Sequence, residues 1–191
     1  MKKTCLILAA GSSTRYGTQK LVQNMHNGKP MLLTTIECYR KVFKDIVVVI
    51  TPGASTLNNL LENQDVRVLE CTQSKFGMGH SIACGIAEQS ESDAVLIALG
   101  DMPRVNVKTV AKLYEKLGPN SIIAPVFQGV RGNPVGFGRK YFSELLNLQG
   151  DTGGRAIINN NLDDFVEIAV NDQGVLLDID TPDQLESVLL K

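Results

Sequence analysis

Four side chains set the chemical question. Arg15 and Lys20 follow Leu6-Ile7-Leu8-Ala9-Ala10, an apolar run that changes abruptly at Gly11 and Ser12 into small polar residues. Asp101 follows the apolar run 94–99 through the single residue Gly100, and Asp180 follows the run 175–179. Two cations and two carboxylates make no nucleophile–base pair, but they suit a polyphosphate. A guanidinium forks onto two phosphate oxygens, and an ammonium serves as a movable point charge. A carboxylate suits Mg²⁺, a hard ion usually held by one or two protein carboxylates plus phosphates and waters. Main-chain amides in a small-residue loop favour anions as well. They contribute only about 0.3–1 kcal/mol per charge, so the formal cations are needed. Plainer readings stand beside these: a glycine turn with two solvated cations, a helix cap at Asp101 before Met102-Pro103, and a turn residue at Asp180.

The two familiar phosphate loops do not fit. A Walker A loop places lysine directly after its second glycine, whereas Thr18 and Gln19 separate Gly17 from Lys20, and a dinucleotide fingerprint needs glycine where Ser13 stands.

The elements that must position these groups alternate along the chain. Short β-rich runs predict strands at 4–9, 45–51, 66–70, 94–99 and 121–125, and amphipathic spacing predicts helices near 30–43, 54–63, 78–89 and 105–117. Such alternation predicts an α/β fold, three layers α/β/α around a mostly parallel, Rossmann-like sheet. In such sheets ligands bind outside the carboxyl ends of the strands, where Gly11 and Asp101 both fall. A last helix is marked by Thr181 as N-cap, Pro182 in its first turn and Gln184 closing a capping box before Leu185, Val188 and Leu189. Between about 125 and 178 glycines crowd together (Gly129, Gly132, Gly136, Gly138, Gly150, Gly153, Gly154), which predicts loops and short strands approaching a ligand within the same domain. Residues 1–191 thus read as one domain.

Composition narrows the partners. With 191 residues, 43% of them hydrophobic, the chain can bury roughly 70% of its unfolded surface without a disulfide or metal staple. Lys plus Arg is 19 and Asp plus Glu is 20, a net charge of −1, which leaves no basic field for nucleic acid or an anionic membrane. Apolar runs fall short of the roughly 20 residues of a membrane span. Met1-Lys2-Lys3 resembles the start of a signal segment, but Ser12, Ser13 and Arg15 arrive too early, so a cytoplasmic protein is expected. Cys5, Cys38, Cys71 and Cys84 form no C-x-x-C pair and read as reduced thiols.

At the level of motifs a family resemblance appears. "LAAGSSTRYGTQKL" (8–21) resembles L-A-A-G-x-S-x-R-[MF]-G-x-x-K-L, the signature of the nucleotidyltransferases related to molybdenum cofactor cytidylyltransferase, the MobA-like NTP transferase domain. "GMGHSIACGI" (77–86), "LGDMP" (99–103), "VRGNPVGF" (130–137), "GDTGGR" (150–155) and "DIDTPDQL" (178–185) are similar to further family segments, in the family's order. The resemblance implies a sheet of the nucleotide-diphospho-sugar transferase type. It also implies Mg²⁺-dependent transfer of CMP from CTP to the phosphate of molybdopterin, with release of pyrophosphate. Lys20 and Arg15 would hold the β- and γ-phosphates; Asp101, with Asp180 or Asp178, would hold magnesium. Leu8, Ala10, Gly11, Ser12, Gly77 and Ser81 would line the nucleotide, with Lys20, Arg15 and Asp101 as the catalytic set. The product would pass to a molybdoenzyme or its chaperone.

Leu8-Ala9-Ala10-Gly11 matches the L-A-A-G of the cytidylyltransferases, and the Ala10 methyl narrows the space beside the base toward a pyrimidine. The chain departs from the family at Tyr16, at Cys71-Thr72 and at Asn133, the last two on the acceptor side. A sugar or polyol phosphate therefore stands as the alternative acceptor, and a non-catalytic nucleotide-binding module as the further alternative. His80 reads as helix packing or capping, Met78 and Cys84 as core, and His26 has no evident task.

Overall fold

The computed structural model describes residues 1–11, 20–181 and 184. Among them a mixed eight-stranded sheet forms the middle layer. Strands β1 (Lys3–Leu8), β2 (Asp45–Ile50), β3 (Arg67–Glu70) and β4 (Ala94–Leu99) run parallel in the order β3-β2-β1-β4. Beyond β4 lies β7 (Val135–Gly138), antiparallel to it, and then β5 (Ile122–Phe127), which also pairs with β6 (Val130–Arg131) and, in parallel, with β8 (Phe165–Ala169). The β2 sequence Asp-Ile-Val-Val-Val-Ile is buried over its last five residues; near-continuous β-branched runs of this sort are what a strand covered on both faces requires.

Helices cover both faces. On one side α1 (Met31–Arg40), α2 (Ser55–Leu61) and α4 (Val107–Lys116) bury Leu32, Ile36, Leu57, Leu61, Val110 and Leu113 against Ile7, Val48, Leu96 and Ala98. On the other, α3 (Met78–Ala87), α5 (Phe142–Leu146) and α6 (Arg155–Asn160) place Ile82, Ile86, Leu145 and Ile157 with Leu6, Val47, Val49 and Val95. The α/β expectation holds, and the strand order turns at β1, with β2 and β3 to one side and β4 to the other.

Several boundaries move for local reasons. The α1 helix ends at Arg40, and the chain leaves it through a turn in which the N–H groups of Val42 and Phe43 share Tyr39 O. The α4 helix starts at Val107 because the Asn106 side chain caps it, accepting from the Lys108 N–H at 2.9 Å. The cap reading of Asp101 is therefore set aside. Residues 125–178 do contain short strands, but also two short helices. The run 175–179 joins no strand: Gln173–Leu176 is a 3₁₀ turn, followed by an extended link. Met78 is not core, being 42% exposed at the first position of α3 where the chain rounds the rim of the sheet. No helix among the described residues is long and apolar enough to cross a membrane. The four cysteines are free thiols, and burial pushes the Cys38 thiol up to about 11.

Candidate active site

The carboxyl rim of the sheet is level across its middle strands, since Leu8 pairs in register with Val49 on one side and Leu99 on the other. Hydrogen bonds from side chains and main chain tie the neighbouring segments to this rim. Gly100 donates its N–H to Leu8 O at 2.9 Å, and Thr35 Oγ1 donates to Gly100 O at 3.0 Å from α1. Thr51 Oγ1 donates to Ala10 O at 3.1 Å and accepts from Ser74 Oγ at 3.3 Å, linking the ends of β1 and β2 to the approach to α3. Leu8 is half-buried, Ala10 is buried and Gly11 is exposed, with nothing within 4 Å of where a Cβ would stand. Ser12 and Arg15, expected beside the phosphates, lie outside the described residues.

Lys20 opens a 3₁₀ turn, Lys20–Val22, that seats Leu21 in the core. Its ammonium donates to Asp101 Oδ2 at 2.7 Å and to Asp180 Oδ1 at 2.9 Å. The three side chains are 10%, 22% and 32% exposed, so the triad is screened from bulk water without being sealed off. Burial alone lowers the pKa of Lys20, but hydrogen bonds and charge from both aspartates outweigh it and hold the ammonium above the ordinary lysine value. Asp180 reaches this position because the Ile179 N–H donates to Asp101 O at 3.1 Å, stitching the two segments together. The Asp180 N–H and the Thr181 N–H donate to Gln184 Oε1 at 2.6 and 3.0 Å, and the Gln184 N–H returns to Thr181 Oγ1 at 3.2 Å, closing the expected box. Pro182, Leu185, Val188 and Leu189 lie outside the described residues. Asp178, the other candidate ligand, is exposed.

The donor set fits a hard divalent cation. Asp101 Oδ1 is buried and finds no hydrogen-bond partner among the described residues, an acceptor that protein interiors seldom leave unmatched. No group of three or more His, Cys, Asp or Glu that could hold a metal occurs among the described residues. Among the described residues Asp101 and Asp180 would supply the protein oxygens, and one or two carboxylates with phosphates and water are the way Mg²⁺ and similar ions are held.

A second wall stands beyond Ala10, where Gly77–Ser81 meet the loop 149–153. Gly77 has φ of 122°, and a Cβ there would lie 2.3 Å from Gly150 C. The Gly79 N–H donates to Gly150 O at 2.8 Å, and the Gly150 N–H donates back to His80 Nδ1 at 3.2 Å. The His80 ring also leans on Phe76, with centroids 5.7 Å apart. Ser81 is only 4% exposed, on the inward side of α3.

The model of the MobA-like NTP transferase domain matches residues 5–165 of the chain. The chain belongs to that family. The bifunctional protein GlmU of Caldicellulosiruptor saccharolyticus is 33% identical to this MobA-like domain over 152 residues, which cover 77% of the chain and 32% of GlmU. The chain thus spans about a third of the length of the curated relatives it matches. Rv0371c from Mycobacterium tuberculosis H37Rv superposes with a TM-score of 0.85 at 27% identity, both chains being covered in full. A structure of Rv0371c in complex with manganese gives a TM-score of 0.82 at 26% identity. The 4-diphosphocytidyl-2C-methyl-D-erythritol synthase of Anaerococcus prevotii shares the fold, with a TM-score of 0.76 at 16% identity over 99% of this chain and 97% of that one.

The structure brings Lys20 and Asp101, inside the matched range, into direct contact with Asp180, which lies beyond residue 165, and sets Leu8, Ala10 and Gly11 on the adjoining strand end. Sequence reasoning missed the Thr51–Ser74 link and the seat of the 149–153 loop on His80. The available signal for the second was the pairing of two glycine-bearing motifs, "GMGHS" and "GDTGG", whose glycines interlock. It named Gly132 only among glycines approaching a ligand and did not single out Gly174; a Cβ at these positions would lie 2.3 Å from Val175 O and 2.1 Å from Arg104 O. Both close approaches hold in place the segment that delivers Asp180.

Proposed function

We propose that the chain transfers a nucleotidyl group from a nucleoside triphosphate to a phosphorylated acceptor, with CTP as donor and the phosphate of molybdopterin as acceptor. The observation that carries this reading is the Lys20–Asp101–Asp180 triad at the point where the strand order turns. An acceptor phosphate is already ionised at neutral pH, so the attack on the α-phosphorus needs alignment and charge neutralisation rather than a general base. Lys20 supplies a movable positive charge to the phosphates, and the strand ends at Leu8 and Leu99 fix the rim against which the triphosphate is aligned. On the family resemblance Arg15 would add a second cation, and Ser12 and Gly11 would line the phosphates. Ser81 and Gly77 shape the far wall. Asp101 and Asp180 would hold Mg²⁺, which when bound neutralises charge developing on the phosphate oxygens. Manganese in the Rv0371c complex supports a divalent ion of this class.

A sugar or polyol phosphate is the second reading for the acceptor. Cys71-Thr72 and Asn133, which depart from the family pattern on the side expected to line the acceptor, keep it open. The 4-diphosphocytidyl-2C-methyl-D-erythritol synthase among the structural neighbours supports an acceptor of that class.

The test is radiolabelled CTP with magnesium and either molybdopterin or a panel of sugar and polyol phosphates, scored by labelled product and pyrophosphate. Labelled molybdopterin dinucleotide is the expected result, and product only from a sugar or polyol phosphate moves the acceptor to the second reading. In the productive reaction Asp101→Asn should lower turnover by about a hundredfold or more. Nucleotide binding without pyrophosphate from any acceptor would overturn the catalytic reading in favour of a binding module.

A further inference from the structure

The triad presents a conflict that the roles of its members, taken singly, do not show. Lys20 is needed at the phosphates, and Asp101 and Asp180 are needed by the cation, yet the ammonium lies on one oxygen of each carboxylate, at 2.7 and 2.9 Å. On the first aspartate Oδ1 is left over, buried and without a hydrogen-bond partner among the described residues. A divalent ion cannot take Asp101 Oδ2 and Asp180 Oδ1 while the ammonium holds them, and a polyanion offers the ammonium another partner.

The lysine is built to move at its tip and not at its root. The Lys20 backbone belongs to the turn that buries Leu21; its carbonyl accepts from the Gln23 N–H at 3.1 Å, and Gln23 O accepts from the Met31 N–H at 2.9 Å at the start of α1. The four-carbon stem above this anchor has freely rotatable bonds, so the ammonium can change partners while the Cα stays in place.

We infer that Lys20 acts as an exchangeable placeholder on the carboxylates, so that a divalent cation and a triphosphate enter as a coupled pair. The cation takes Asp101 and Asp180 when the triphosphate takes the ammonium. Either ligand alone meets groups already engaged with each other, the ammonium with Asp101 Oδ2 and Asp180 Oδ1. This inference rests on the assignment of Asp101 and Asp180 to a divalent cation made above, and it adds the order and interdependence of binding. It involves no covalent step.

The coupling is measured by Mn²⁺ binding followed through the electron paramagnetic resonance signal of the free ion, with the full chain, with and without CTP and in the absence of any acceptor. Lys20→Met removes the charge and keeps the length; Lys20→Gln is a second uncharged variant, used if the first does not fold by circular dichroism; Lys20→Arg keeps a charge. Wild type should bind Mn²⁺ alone weakly, with CTP tightening it by about tenfold or more. The uncharged variant should bind Mn²⁺ alone at least about tenfold more tightly than wild type, and CTP should add less than it does for wild type. Lys20→Arg should stay as weak as wild type without CTP. Equal Mn²⁺ affinity of wild type and the uncharged variant without CTP would overturn the placeholder and leave the metal assignment intact. Failure of wild type to bind Mn²⁺ with any triphosphate would overturn both.

Discussion

Replacing Gly77 by alanine probes the seat on which the far wall of the site rests. Gly77 has φ of 122°, where an L side chain is strained, and a Cβ there would stand 2.3 Å from Gly150 C and 2.7 Å from Asp151 N. Both neighbours are main-chain atoms, so no side-chain rotation relieves the overlap. The backbone conformation costs about 1–3 kcal/mol, and displacing the packed loop costs about 1–3 kcal/mol more. The sum, about 2–6 kcal/mol, is a large share of the ~5–15 kcal/mol by which a domain is usually stable. Gly129→Ala separates the two costs, because Gly129 has φ of 80° with nothing within 4 Å of a Cβ. It carries only the left-handed backbone penalty of about 1–2 kcal/mol. Urea unfolding reads the difference. With a slope of about 2 kcal/mol per molar, the midpoint of Gly77→Ala should fall by about 1–3 M, against about 0.5–1 M for Gly129→Ala. Exchange of the Gly79 N–H, which donates to Gly150 O at 2.8 Å, should accelerate in the first variant alone. Equal midpoints for the two variants would show that the loop yields freely, and the interlocking of the two glycine motifs would be refuted.

Hydrogen bonds in the same half of the molecule give two further predictions. His80→Asn keeps an acceptor two bonds from Cβ, where Nδ1 now receives the Gly150 N–H at 3.2 Å, and should stay closer to wild type in thermal stability than His80→Leu. The leucine variant should lose a further ~1 kcal/mol or so, and equal melting temperatures would remove His80 as the tether. Lys140 and Tyr141 hydrogen-bond Asp164, each at 2.5 Å, and hold its carboxyl below the ordinary value of 3.8 against a smaller opposing effect of burial. A lowered folded pKa gives stability that is present above the unfolded value and lost as pH falls through the folded one. The stability difference between wild type and Asp164→Asn, followed by urea titration, should therefore be constant above pH 3.8 and shrink below it. A difference that grew on acidification would contradict the pairing.

How far the fold was legible depended on element length. β1, β2 and β4 announce themselves because strands covered on both faces must be apolar without interruption, and Leu6, Val48 and Leu96 are fully buried. The end of α1 was misplaced for the opposite reason: Val42 and Phe43 continue the apolar stripe, but their N–H groups share Tyr39 O, and hydrophobic spacing does not register a turn that still points its side chains inward. α5 and α6, at five and six residues, are shorter than two turns, so no periodicity could mark them. Their glycine-rich surroundings read as loop because the glycines serve close approaches, such as the 2.4 Å a Gly154 Cβ would leave to the Phe137 ring, and not chain flexibility.

Of the site, Asp101 and Asp180 were legible from the apolar run that gives out just before each, and Lys20 from the small polar and glycine residues that part it from the run 6–10, but their contact was not. Lys20 is 81 residues from Asp101 and 160 from Asp180, and nothing local encodes the meeting. It depends on the register that levels Leu8 with Leu99, on the bond from the Ile179 N–H to Asp101 O, and on the absence of side chains at Gly132 and Gly174. Spacing along the chain assigns one partner to each charge: phosphates to the lysine, metal to the aspartates. The distances put the ammonium itself on those carboxylates, at 2.7 and 2.9 Å. On the proposed reading a cation that takes the carboxylates must displace the ammonium, and a polyanion that receives the ammonium ties the two binding events together without any movement of the sheet.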